Sequence, residues 1–322
     1  MNFVTLALAS NIAAGIDLGE SIVWGGLGMA ASEAKRVSER ALVLGGGGVA
    51  GIAWMTGVLL GLRDEGVDLR HAADLMIGTS AGSTVAAQLA GDVGLDDLFQ
   101  RQVDPARQVA ELAPKPHLFE LMGNALPILF KLNDPVERNR RIGDLAANTT
   151  TVTEAERRAV IAARLPSHAW PDRALKVVAL DIESGEARIF DRLSGVDLVD
   201  AVAASCAVPG IWPPVSIGGH RYMDGGIRSS DNADLATGCG TVVIVSPLGE
   251  SGGMLPGSAG LADQVEALRA AGAKVIVVAP DEAASKAIGH NPLSPDTRTP
   301  AAEAGRAQGR ALAGEMAVFL AA

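Results

Sequence analysis

The stretch LVLGGGGVAGIAW, residues 42–54, sets four consecutive glycines between two apolar runs. Glycine loses more backbone freedom on folding than any other residue, so four in a row are a poor way to build a strand or a helix. They suit a tight turn whose peptide groups must approach something closely. A second run, ADLMIGTSAGSTVAAQLA (residues 73–90), repeats the plan of apolar strand, glycine-bounded turn and Ala-rich helix. Two such β-turn-α units predict a parallel sheet with helices on both faces. The expected fold class is α/β: a three-layer α/β/α sandwich on a mainly parallel central sheet.

Working outward, residues 1–39 read as a leader that precedes a single domain over residues 40–322. The opening MNFVTLALASNIAAGIDLGESIVWGG lacks a basic start, and Asp17 and Glu20 interrupt it before a membrane-length apolar run accumulates. Neither a spanning helix nor a signal peptide is expected, and Met29 offers an alternative translation start. Downstream, RALVLG and DLMIG read as buried strands, with helices over about residues 52–64 and within STVAAQLA. Residues 95–174 are charged, proline-punctuated and helical in texture, as in an inserted cap. ALKVVALDI (174–182) and ARIF (187–190), joined by ESGE, predict a hairpin. A helix over 196–206 must end at AVPGIWPPV, because Pro209, Pro213 and Pro214 cannot continue it. TVVIVSP and AKVIVVAP read as further buried strands, and residues 301–322 as an Ala-rich helix.

Composition limits the function classes. With 48% hydrophobic, 20% charged and 3% aromatic residues among 322, the core must be built from Ala, Val, Leu and Ile. A net charge of −10 argues against nucleic acid as a partner, since no Lys/Arg cluster is present to replace phosphate counterions. The densest basic run, ERNRRIG (137–143), sits among acids and reads as a solvated helix face. Two cysteines, Cys206 and Cys239, make neither a disulfide framework nor a metal quartet. They fit a reducing, cytoplasmic setting.

GTSAG (78–82) matches the G-x-S-x-G elbow, in which a serine sits on a strained turn between strand and helix. Ser80 would then project at a helix N-terminus, where backbone N–H groups favour developing negative charge. Acyl transfer also needs donors aimed at the oxyanion, and the glycines of GGGGVAG can turn their amides inward. The same run fits G-x-G-x-x-G as Gly46, Gly48 and Gly51. A dinucleotide site would want an acid at the end of the second strand, and that strand ends in IGTSAG instead. A serine needs a base. Of the five histidines, only His290 follows late enough to close a Ser–acid–His order, and no motif marks it. Asp224 in YMDGGI is the better candidate, since a turn of two glycines leaves its carboxylate at a strand end. The apolar run HLFELMGNALPILFKL (117–132) reads as a packed cap helix, with an acyl channel or interfacial contact as the other reading.

The ordered set GGGGVAG, GTSAG, AASCAVPGIWPPV and DGG resembles the patatin-like phospholipases, serine lipid acyl hydrolases with a Ser–Asp dyad. The resemblance implies Ser80 as nucleophile, Asp224 as base, and the amides of Gly46, Gly47 and Gly48 as oxyanion hole, with Gly51, Gly78, Gly82, Gly225 and Gly226 supporting the motifs. It implies a lipid or acyl-ester substrate, transient contact with a membrane or micelle surface, and neither metal nor cofactor. One position departs from the family pattern: Ala50 stands where a basic residue commonly precedes the last glycine of the first motif. That puts phospholipid substrates in question more than neutral acyl esters. A small-ester or thioester hydrolase, or a silent lipid-binding relative, are the alternatives on this scaffold.

Overall fold

In the first strand, Leu42 and Leu44 join one apolar cluster while Ala41 and Val43 join another. Side chains alternate across a strand, so a run apolar at every position needs cover on both faces. The computed structural model describes residues 40–112, 132–249 and 260–322. The readings of residues 1–39, of Met29 and of the apolar run 117–131 lie outside them.

The elements in order are β1 (Arg40–Leu44), α1 (Gly48–Asp64), α2 (Leu69–Ala72), β2 (Leu75–Thr79), α3 (Ala81–Ala90), α4 (Leu95–Val103), α5 (Pro135–Asn148) and α6 (Glu154–Arg164). They continue with β3 (Ala174–Asp181), β4 (Ala187–Phe190), α7 (Leu198–Ser205), β5 (Val215–Ile217), β6 (His220–Asp224), β7 (Thr241–Val245), α8 (Leu261–Ala270), β8 (Lys274–Val278), α9 (Glu282–Ile288) and α10 (Arg298–Ala321). The sheet runs β5-β6-β3-β2-β1-β7-β8, with β4 also paired to β3. Strands β3, β2, β1, β7 and β8 are mutually parallel. Strands β4 and β6 run antiparallel to β3, and β5 antiparallel to β6.

Val58 and Leu59 of α1, Val85 and Leu89 of α3, Val202 of α7 and Met316 of α10 cover the Leu42/Leu44 face. Leu261, Val265 and Leu268 of α8 cover the Ala41/Val43 face together with Ala233 and Ala236. The result is the three-layer sandwich. Helix α1 is apolar on all sides and buried from Val49 to Leu62, as a helix enclosed by protein must be. Its outer cover is α10, and the two backbones touch. A Cβ on Gly57 or Gly61 would strike the carbonyls of Ala302 and Arg306, and one on Gly305 or Gly309 those of Trp54 and Val58. Asp64 then accepts from Arg306 Nε at 2.8 Å and Arg310 Nη2 at 2.7 Å.

Three boundaries differ from expectation. Helix α1 starts at Gly48 rather than near residue 52, because the Gly47 carbonyl accepts from the Gly51 N–H at 2.8 Å and the glycines form the first turn themselves. Helix α10 begins at Arg298, and α7 is shorter than 196–206. The basic run 137–143 is also only partly solvated: Arg140 and Arg141 pair with Glu137 outside, while Arg138 is buried.

Candidate active site

Register brings the two expected groups together. Thr79, the last residue of β2, pairs with Val178 of β3, and Asp224, the last of β6, pairs with Ala179. Ser80 and Asp224 therefore leave their strands on either side of adjacent β3 residues, although 144 positions separate them in the chain.

Ser80 has φ 53° and ψ −118°, a conformation costly for a residue with a Cβ. The elbow is forced by packing against β1, since a Cβ on Gly82 would strike the Leu44 carbonyl. It is held from the other side by the segment after α7. The Ser80 N–H donates to Ser205 Oγ at 2.9 Å, and the Cys206 thiol donates to the Ser80 carbonyl at 3.2 Å. The Ala207 carbonyl accepts from the Asp224 N–H at 2.9 Å. Three consecutive residues of the AASCAVPGIWPPV stretch thus fix the backbones of both Ser80 and Asp224. That is its physical role.

Asn232 supplies a second tie. It is fully buried, and its Nδ2 donates to Thr79 Oγ1 at 3.0 Å and to the Ser229 carbonyl at 2.8 Å, with the Gly225 carbonyl at 3.3 Å. Its φ of 52° is left-handed, a region that Asn tolerates better than most residues.

Asp224 is 4% exposed. Its Oδ1 accepts from the Gly226 N–H at 2.7 Å, and among the described residues its Oδ2 has no hydrogen-bond partner of standard geometry. Burial raises its pKa to about 6, opposed by the Ser80 hydroxyl, by the Gly226 amide and by the charge of Arg157. The Ser80 hydroxyl thus lies near enough to act on the carboxyl without a closed hydrogen bond.

The glycine loop contributes fewer amides than its length suggests. Gly46 N–H donates to the Ser230 carbonyl at 2.8 Å, and Ala50 N–H to the Pro292 carbonyl at 2.9 Å. Among the described residues, nothing accepts from the N–H groups of Gly47 and Gly48, which open α1. Gly48 must be glycine: its φ is +63°, and a Cβ there would sit 2.6 Å from the Pro292 carbonyl oxygen. Ser80, Gly48 and Val49 border a cleft with Arg157, Trp212 and Leu293. It measures about 50 Å³, room for a few water-sized groups. Ala50 is fully buried, and His290 is exposed. Among the described residues, no group of three or more His, Cys, Asp or Glu could hold a metal ion.

The description "Patatin-like phospholipase" belongs to a family profile that matches residues 42–237, more than half of the chain. The chain belongs to the patatin-like phospholipase family. No curated protein matches it. Among solved structures, VipD from Legionella pneumophila is similar with a TM-score of 0.43 at 14% identity, over 86% of this chain and 67% of that one. The type III effector protein ExoU is similar with a TM-score of 0.39 at 16% identity over 88% of this chain. This family member spans 54% of the effector's length. Membership places the chain among lipid hydrolases. Among its described residues, no helix is long and apolar enough to cross a membrane.

Reading the sequence alone does not single out Ser205, Asn232, Arg157 or Trp212. Ser205 and Trp212 lie inside the AASCAVPGIWPPV stretch without being marked individually, whereas Asn232 and Arg157 carry no local signal.

Proposed function

We propose that this chain is a serine acyl hydrolase that cleaves the carboxylic esters of lipids, with Ser80 as nucleophile and Asp224 as general base. The carrying observation is a strained serine held beside a buried carboxyl with one unpartnered oxygen. Asp224 Oδ2 takes the Ser80 proton as the hydroxyl attacks the ester carbonyl. The N–H groups of Gly47 and Gly48 hold the oxyanion at the positive end of α1; Gly46 drops out because its amide is committed to Ser230. The acyl-enzyme forms, the alcohol leaves with the proton from Asp224, and a water activated by the same carboxylate releases the fatty acid. A carboxylate of ordinary pKa would be a weak base near neutrality. Burial that lifts it to about 6 improves the match while leaving most of it ionised at pH 7. Lipid substrates require brief contact with a membrane or micelle surface, which suits a cytoplasmic enzyme that visits it.

The test is labelling with a fluorophosphonate probe together with hydrolysis of p-nitrophenyl esters. The wild type should label and turn over, and Ser80→Ala should do neither. Labelling that persists in Ser80→Ala would overturn the assignment.

A further inference from the structure

The α6 side of the cleft that Ser80 lines carries more positive charge than its neighbours neutralise. Helix α6 buries Arg157, Ile161 and Arg164, spaced i, i+4, i+7 along one face. Glu111 receives Arg164 in two-pronged fashion, at 3.1 Å from Nε and 2.6 Å from Nη2, and Arg298 Nη2 at 2.8 Å. Arg298 is completed by the Val109 carbonyl at 3.1 Å. One carboxylate thereby serves two arginines, and its capacity is spent on them.

Arg157 is the third arginine, and it is left over. It is 4% exposed, and its Nη1 comes no closer than 3.9 Å to Glu111, beyond hydrogen-bond reach. Among the described residues, neither its Nε nor its Nη1 has a hydrogen-bond partner. The guanidinium stacks on Trp212 at 4.0 Å from the ring centroid, which fixes its plane, and both residues line the cleft that contains Ser80. Burial, then the like charge of Arg164, lowers its pKa to about 10, so it remains a cation at neutral pH. Three buried arginines face Glu111 and Asp224, leaving one positive charge over even with Asp224 ionised. Burying a cation without its hydrogen bonds is costly unless a ligand completes it.

We infer that Arg157, oriented by Trp212, forms the anion-binding subsite of the Ser80 cleft and takes the phosphodiester of a glycerophospholipid. This rests on the serine-hydrolase reading above; phospholipids are the substrates the family name gives, and Arg157 is the residue of this chain that reads their phosphate. The planar fork of arginine matches two phosphate oxygens at once. A fatty-acid carboxylate is the weaker candidate, because it forms at the carbon that Ser80 attacks, whereas Arg157 reaches the cleft from α6. A glycerophospholipid carries its ester carbonyl and its phosphate on one glycerol, a few bonds apart, as a cleft shared by Ser80 and Arg157 requires. The cation that Ala50 does not provide in the first motif is supplied by the cap.

The experiment compares kcat/KM for dihexanoyl phosphatidylcholine with that for dihexanoylglycerol, which has the same acyl chains and no phosphate. In Arg157→Gln the phospholipid-to-neutral ratio should fall roughly tenfold to a hundredfold, as loss of a charge-assisted hydrogen-bond pair implies. Arg157→Lys, which keeps charge but not the fork, should recover part of it. A ratio cancels any general loss of folded protein, and an unchanged ratio overturns the inference. Calorimetric titration of the Ser80→Ala protein is independent of turnover. Dihexanoyl phosphatidylcholine should bind, more weakly at high salt, and adding Arg157→Gln should abolish the heat. Binding that survives Arg157→Gln, or binding of inorganic phosphate without the lipid, overturns the phospholipid assignment. If the wild type hydrolyses neither ester, the hydrolase reading fails while the titration still decides the anion subsite.

Discussion

The two walls of the cleft are built in opposite ways. On the sheet side, every backbone group around Ser80 that could drift is tied: N–H to Ser205, carbonyl to Cys206 and Ser83, and the neighbouring Thr79 hydroxyl to Asn232. On the α6 side, Arg157 is packed against Trp212 yet, among the described residues, lacks partners for two of its nitrogens. Saturated hydrogen bonding fixes geometry, and an unsaturated buried charge marks where a ligand supplies what the protein does not. Asp224 belongs to both kinds. Its Oδ1 is fixed by Gly226, and its Oδ2 has no partner among the described residues.

Breaking the sheet-side wall at its chemical centre should have the largest effect. Ser80→Ala is expected to lower kcat/KM for p-nitrophenyl esters by about 10³-fold or more, with little change in thermal stability. Asp224→Asn should cost a comparable factor, and it separates chemistry from stability. Because burial raises this carboxyl's pKa from its ordinary value to about 6, the folded state holds its proton more tightly than the unfolded one. The associated stability is fully present below about pH 4 and lost as pH rises through about 6. Removing the charge should therefore stabilise the fold at pH 8, by up to roughly 3 kcal/mol for a shift of this size. Urea unfolding of Asp224→Asn and wild type at pH 4 and pH 8 measures this. A mutant no more stable than wild type at pH 8 would show that the carboxyl is not desolvated as described.

The ties come next. Asn232→Ala removes the donors that join the Thr79 hydroxyl to the Ser229 and Gly225 carbonyls of the loop after Asp224. A loss of about 2–4 kcal/mol in chemical denaturation is expected, with a parallel fall in esterase activity. Ser205→Ala touches only the acceptor of the Ser80 N–H and should be the mildest: about 1 kcal/mol in stability and roughly a tenfold loss in kcat. If Ser205→Ala proved more damaging than Asn232→Ala, the order of importance given to the two ties would be reversed.

The same contrast explains how much could be read from the residues. Ser80 was legible because a close approach between elbow and strand leaves glycine as the only choice at Gly82, and such needs write themselves into short motifs. Asp224 was legible only alongside the other motifs, since Asp-Gly-Gly alone is an ordinary turn. The early start of α1 was not, because glycines carry no helical propensity to announce a first turn. Asn232 and Ser205 act across 153 and 125 positions on groups that any polar side chain could meet. Arg157 and Arg164 lie in EAERRAVIAAR, inside the charged stretch 95–174 read only as a helical cap. Only the packing of α6 onto α7 turns that i, i+7 pair inward.

The central claim is that the Asp224 carboxylate activates the Ser80 hydroxyl, and the pH dependence of fluorophosphonate labelling tests it most directly. The wild-type labelling rate should rise with pH through an inflection near 6 and then level, while Asp224→Asn should label far more slowly at every pH. Labelling of Asp224→Asn at the wild-type rate, or a wild-type profile flat across that range, would contradict it.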